Sequence, residues 1–367
     1  MVIIGHATVE GTSRFRARFS ETCSAGQFRE ADGLWWSSVG LGSYIGGVDD
    51  ATDDLVGQAF ERCVTAGVNV IDTAINYRYE RAEKCLGRAL AKQIDAGTVT
   101  RDEVVLCTKG GYLPHPDRAR WFEAEIVGPS QGAVSMDDLV GGSHCMHPAY
   151  IDDQIDRSRK NLDVETIDLY YLHNPESQVG AVDEQTLHDR LQEAFETLEH
   201  AADEGRIRMY GVATWNAFRV PAGERGHMSL ELAKRLAGRA AGDRTDRLRC
   251  VQLPLNPTMP EALTLASQTV AGHELPALAA CRSLGIHAIA SRSVGKGEVR
   301  LTPKVVASLG QDLESDAQRS LQFARSAPGV ISALAGMKSP AHVAENLGLC
   351  TVDPLPAERF SGLPDYD

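Results

Sequence analysis

No run of about 18 apolar residues occurs in the 367-residue chain, and Met1 to Glu10 has no basic segment leading into an apolar stretch. Neither membrane insertion nor secretion is therefore expected, and the sequence reads as cytoplasmic. Basic charge is in deficit: 37 Lys and Arg stand against 50 Asp and Glu, a net charge of -13. Nucleic acid and anionic membrane surfaces both reward a basic face, so neither is an expected partner. Paired cysteines are lacking too. The eight cysteines include no C-x-x-C, and a chain of this length needs no disulfide staples, so they read as reduced thiols. His144, Cys145 and His147 have a spacing that suits no usual ligand cluster, and no metal is expected. A G-x-G-x-x-G opening a helix is also missing. Gly40-Leu41-Gly42 lacks the third glycine, which weakens the case for a doubly wound dinucleotide fold.

What the chain does have is repetition. Short apolar runs rich in β-formers occur at Ser37–Leu41, Val68–Asp72, Val104–Lys109, Asp168–His173, Arg208–Val212, Cys250–Pro254, Ile286–Ser291 and Val330–Ala335. Their starts lie 31 to 44 residues apart, with one gap of 64. This is the spacing of parallel strands joined by helical crossovers, not of hairpins. The segments between them carry helical periodicity, as in LVGQAFERCVTAG, where acidic residues precede the helix and Gly67 stands at its end. Eight alternations predict an α/β fold of one domain, a (β/α)8 TIM barrel over residues 31–350. Residues 1–30 form an N-terminal extension in which the alternation of SRFRARFS suggests a hairpin under the barrel, and 351–367 form a C-terminal tail. The long gap is an inserted loop, residues 110–148, after strand 3. It is expected to cover a substrate pocket, with Tyr112, Trp121 and Phe122 as an apolar wall.

Ionisable residues stand at or just past successive strand ends: Asp72 in NVIDTAINY, Tyr77 five residues later, Lys109 in VVLCTKGG and His173 in DLYYLHNP. Charged groups there are costly to bury without partners and are more often catalytic than structural. Together they make a workable proton donor. A lysine beside a phenol favours the phenolate, the aspartate is the lysine's counter-ion, and the imidazole can hold a carbonyl oxygen while the phenol gives its proton. Ser293-Val294-Gly295-Lys296-Gly297 reads equally as a pyrophosphate cradle or an ordinary glycine turn.

These motifs, with YGVATWN, VQLPLN and APGVISALAGMKSPAHVAEN, occur in an order that resembles the aldo-keto reductase superfamily from about Ser37 to Leu349. The resemblance implies an NAD(P)(H)-dependent oxidoreductase that interconverts an aldehyde, ketone or sugar and its alcohol. Asp72, Tyr77, Lys109 and His173 match the family's catalytic tetrad, with Tyr77 as general acid or base. It also implies cofactor contacts at Ser43, Thr214, Gln252 and Ser291, and at Lys338, His342, Glu345 and Asn346 near the adenosine end. NADP(H) is the expected cofactor, with NAD(H) left open because His342 stands where an arginine is frequent. Ala213-Thr214 and Ser291 replace a usual Ser-Asn pair and a stacking aromatic. A cofactor-binding sensor or regulatory subunit with slow turnover is therefore the alternative reading. The expected partner is a small carbonyl or alcohol substrate, and a homo-oligomer is left open.

Overall fold

The computed structural model describes residues 2–309 and 313–362. Eight parallel strands close into a barrel: β1 (Val39–Gly42), β2 (Val70–Asp72), β3 (Val105–Gly110), β4 (Ile167–His173), β5 (Ile207–Ala213), β6 (Leu248–Pro254), β7 (His287–Ser291) and β8 (Val330–Gly336). β8 pairs with β1, and every other strand pairs with its sequence neighbours. The crossovers carry α1 (Asp50–Val64), α2 (Arg81–Asp95), α3 (Pro148–Leu162), α4 (Glu184–Asp203), α5 (Leu230–Ala241), α6 (Ala277–Ser283), α7 (Asp316–Ser326) and α8 (Pro340–Leu347). Several of these helices start at a side-chain cap that satisfies an otherwise orphaned amide. Asp49 accepts from the amide of Thr52 at 2.7 Å, Asp183 from Thr186 at 2.9 Å and Ser315 from Gln318 at 3.1 Å.

Two apolar cores result. The larger lies between strands and helices. The smaller fills the barrel with Val105, Cys107, Leu169, Tyr171, Met209 and Ile289, and it continues downward into Leu34 and Trp36. Those two residues belong to an antiparallel hairpin, Phe28–Ala31 with Leu34–Ser37, that plugs the bottom. A buried ion pair anchors the same end. Arg101 meets Asp168 at 2.7 Å, and the Asp168 carboxylate also accepts from the amides of Ala7 at 2.7 Å and Leu106 at 2.8 Å.

The hairpin lies at Phe28–Ser37, largely beyond the expected residues 1–30, and SRFRARFS is not in it. That stretch lies in and just past a helix, Val9–Arg18, capped by Thr8. Its alternation also satisfies a four-residue period: Phe15 packs on Phe19 with centroids 5.0 Å apart, while Arg14 and Arg18 both reach the buried Glu103. A second hairpin, Ala266–Val270 with His273–Pro276, precedes α6. The excursion after β3 is folded, with a short helix Arg118–Phe122 and a π turn Glu123–Val127. Phe122 is buried edge-on to Tyr150, and Trp121 lies under Arg157, so neither lines the cavity; only Tyr112 of the expected wall does. The tail is fastened through Gln322, which donates to the Asp353 carbonyl at 2.7 Å; residues 363–367 of it lie outside the described residues. No described helix is long and apolar enough to cross a membrane.

Candidate active site

Strand direction sets the site. Asp72 and His173 end β2 and β4, and Lys109 is the penultimate residue of β3, so all three reach the same mouth of the barrel. Tyr77 enters from the turn after β2, whose next three residues, Arg78, Tyr79 and Glu80, have φ of 51, 54 and 66°. Left-handed backbone at three successive non-glycine residues is unfavourable and needs support. The buried Arg78 supplies it by pairing with Asp53 at 2.5 Å, and Asp53 also gathers Arg81 at 2.8 Å and Arg88 at 3.2 Å.

The ammonium of Lys109 donates to Asp72 Oδ1 at 2.5 Å and to the Thr73 carbonyl at 2.7 Å, and it lies 5.1 Å from the centre of the Tyr77 ring. Burial works to lower the Lys109 pKa, yet Asp72 and the phenol hold it above its ordinary value, so it stays charged. The Tyr77 phenol is pushed up by burial, with Lys109 pulling the other way. The lowering expected from the lysine is thus outweighed by desolvation. His173 packs edge-on to Tyr77 with centroids 5.9 Å apart. Burial, reinforced by Lys109, drives its pKa well down, so the ring is neutral, and its Nδ1 is buried with no partner.

Behind His173 is a contact the sequence did not suggest. The buried His144, from the inserted segment, donates from Nε2 to the His173 carbonyl at 2.8 Å while Gln178 donates to its Nδ1 at 3.2 Å. Tyr112 packs edge-on to both imidazoles, at 5.0 and 5.2 Å. His144 and its neighbours are thus occupied structurally, and no group of three or more His, Cys, Asp or Glu among the described residues is placed to hold a metal.

Tyr77, His173, Asp72 and Tyr112 line a cavity of about 350 Å³, together with Tyr44, Asn76, Asn174, Trp215, Arg292 and Lys296. The chain matches the Aldo/keto reductase family model over residues 38–225. It belongs to the aldo/keto reductase family. By that membership it is an oxidoreductase. The uncharacterized oxidoreductase YqkF of Bacillus subtilis is 24% identical over 333 residues, 90% of this chain and 92% of YqkF. The D-threo-aldose 1-dehydrogenase of a Pseudomonas species is 30% identical over 191 residues, 50% of this chain and 52% of that enzyme. A probable voltage-gated potassium channel subunit beta of Oryza sativa subsp. japonica is 25% identical over 312 residues, covering 80% of this chain and 81% of that protein. Among solved structures, aldo-keto reductase AKR11C1 from Bacillus halodurans superposes with a TM-score of 0.61 at 18% identity, covering 93% of this chain and 97% of that one. An aldo/keto reductase from Klebsiella pneumoniae solved with NADP and acetate gives 0.59 at 19% identity, covering 93% and 94%. These two likenesses show the barrel fold.

Within this family member the remaining expected positions divide. Ser43, Thr214, Gln252 and Ser291 line the cavity. Ser43 donates its amide to the Asp72 carbonyl at 3.1 Å, and Gln252 donates its side-chain amide to Asp72 Oδ2 at 2.8 Å, so Gln252 is tied into the Lys109–Asp72 pair. Lys338, His342, Glu345 and Asn346 lie off the cavity, beyond β8 and along α8. His342 is exposed, Glu345 accepts from the Ser315 hydroxyl, and the buried Asn346 has an unpartnered Oδ1. Sequence reasoning missed Tyr44, Asn76, Asn174 and Arg292 as lining residues. For Arg292 a signal was present, a cation directly after the expected cofactor position Ser291.

Proposed function

We propose that this oxidoreductase uses NADP(H) to interconvert a small carbonyl compound and its alcohol, with Tyr77 as general acid or base. The observation that carries the reading is the convergence of the phenol, the charged Lys109–Asp72 pair and the neutral His173 on one cavity. The cofactor, when bound, supplies or accepts the hydride. The residues present suit it: Thr214, Ser291 and Gln252 offer polar contacts at the mouth, and the unpartnered Oδ1 of the buried Asn346 is an acceptor available to an adenine amine. Lys109 favours the phenolate and Asp72 keeps the lysine charged. The neutral His173 can donate one hydrogen bond to a substrate oxygen without adding a positive charge next to Lys109.

Replacing Tyr77 by Phe keeps the ring and removes the proton. Initial rates followed at the nicotinamide absorbance, with NADPH and NADH against aldehydes, ketones and sugars, should then fall by roughly 10² to 10⁴-fold while NADPH affinity is retained. Near wild-type turnover by the variant would refute the role. The second reading, a cofactor-binding sensor or regulatory subunit, is favoured by the Gln252–Asp72 bond, which engages a side chain expected to meet the nicotinamide. It predicts tight NADPH binding with negligible turnover across the same panel.

A further inference from the structure

Two cations, Arg292 and Lys296, line the cavity, with Lys109 buried behind Asp72, and the three are not equivalent. Lys109 is committed to Asp72, and Lys296, on the loop after β7, is exposed and leans over the ring of Tyr44, which follows β1, at 5.8 Å. Arg292, directly after β7, leans at 5.2 Å over the ring of Trp215, which follows β5. Among the described residues its guanidinium has no ion pair or hydrogen bond, and its Nε is buried without an acceptor. Its neighbour on the same indole shows what pairing would look like. Arg219, 5.9 Å from that ring, donates to the Trp215 carbonyl at 2.6 Å, to Glu261 at 2.9 Å and to Asn216 at 3.2 Å. The chain carries a net charge of -13, and elsewhere a single carboxylate serves several arginines, as Asp53 serves three. An arginine left unpaired in a cavity of so acidic a protein is therefore not short of counter-ions; it is held away from them.

The backbone does the holding. Arg292 has φ of 56°, a conformation costly for a branched-chain or long side chain, and it is fixed by Asn256 donating to its carbonyl at 3.0 Å and by Leu255 donating to the carbonyl of Ser291 at 3.0 Å. A buried donor without an acceptor and a left-handed backbone at one residue both cost stability, and a ligand anion compensates the first directly. We propose that Arg292 recognises a carboxylate on the substrate, so that the enzyme selects carbonyl compounds bearing an acidic group. The inference rests on the reading of the cavity as a carbonyl-reduction site. A cofactor phosphate is the competing anion, and placement argues against it. Ser43 and the expected adenosine-end residues Lys338, His342, Glu345 and Asn346 gather around β1 and β8, with Lys296 on that side. Arg292 itself directly follows β7, beside β8, but its guanidinium lies over Trp215, which follows β5, opposite β1 in an eight-strand closed barrel. A planar guanidinium propped on an indole presents the paired N–H groups that a carboxylate accepts.

The test compares 4-carboxybenzaldehyde with its neutral ester, methyl 4-formylbenzoate, in the wild type, Arg292→Gln and Arg292→Lys, with NADPH binding measured in parallel. Loss of one charge-assisted contact should lower kcat/KM of Arg292→Gln on the acid by about ten- to a hundredfold, mainly through KM. The ester should change less than about threefold, NADPH affinity should hold, and Arg292→Lys should recover part of the loss. Equal losses on acid and ester with weakened NADPH would overturn the proposal in favour of a cofactor contact, and no loss on either would overturn it outright. If neither aldehyde turns over, the carbonyl-reduction reading is judged on the wider panel of aldehydes, ketones and sugars. Calorimetric binding of benzoate against benzamide, in the presence of NADP, then tests Arg292 alone: it is supported if the wild type prefers benzoate and Arg292→Gln does not, and overturned otherwise.

Discussion

Glu83 is a carboxylate buried two residues into α2, where it accepts hydrogen bonds from the Thr108 hydroxyl at 2.6 Å and from the Asn161 amide at 2.8 Å. No cation compensates it among the described residues, so burial raises its pKa from the ordinary 4.5 to about 7. A raised value means the folded protein binds this proton more tightly than the unfolded chain. The resulting stabilisation is fully present below about pH 4.5, declines as pH rises, and is gone above about pH 7. At 1.36 kcal/mol per unit, the whole swing is about 3 kcal/mol. Glu83→Gln is neutral at every pH and lacks the swing. Urea unfolding of both proteins at pH 4.5, 5.5, 6.5 and 7.5, followed by tryptophan fluorescence, gives the difference in stability, in which all other titrating groups cancel. The difference should move by about 3 kcal/mol in favour of the variant from the lowest to the highest pH. A difference constant to within about 0.5 kcal/mol would mean that Glu83 keeps an ordinary pKa and that its burial carries no electrostatic cost. Activity is a useful control, because Thr108 precedes Lys109 on β3.

Further perturbations probe other parts of the molecule. Asp168→Ala leaves the buried Arg101 guanidinium without its counter-ion and two amides without their acceptor and should cost about 3–5 kcal/mol in chemical denaturation, with little change in KM for the protein that remains folded. Lys109→Met removes the charge that pulls the Tyr77 pKa down, so any alkaline limb of the kcat/KM profile assigned to that phenol should move to higher pH while overall rate falls; an unmoved limb would assign it elsewhere. His342→Arg on α8 should tighten NADPH more than NADH, read as the ratio of their dissociation constants, because only the 2′-phosphate accepts the added guanidinium contact. Phe122→Ala should destabilise by about 3–5 kcal/mol yet leave substrate ranking unchanged, since that ring packs on Tyr150 and not in the cavity.

The barrel was legible in the chain because it is a local pattern repeated: each crossover needs an apolar strand, a capped helix and a stop, and all three leave marks at fixed spacing. Asp72, Lys109 and His173 could be brought to one mouth from sequence alone, because parallel strands all end on the same side. Elements whose pattern fits two structures were decided by packing. SRFRARFS alternates like a strand, but Phe15 and Phe19 also share a helical face, and contact with the core and with Glu103 selected the helix. In the insertion after β3, composition placed aromatic residues near the site, but only tertiary contacts sent Phe122 inward to Tyr150 and left Tyr112 at the cavity. The charges were the least readable. Whether Lys109 lowers the Tyr77 pKa or burial raises it depends on desolvation, which one-dimensional spacing does not contain. Likewise, sequence shows an arginine after Ser291, but only the three-dimensional arrangement, with its left-handed backbone and the indole of Trp215 beside it, leaves that guanidinium without a partner.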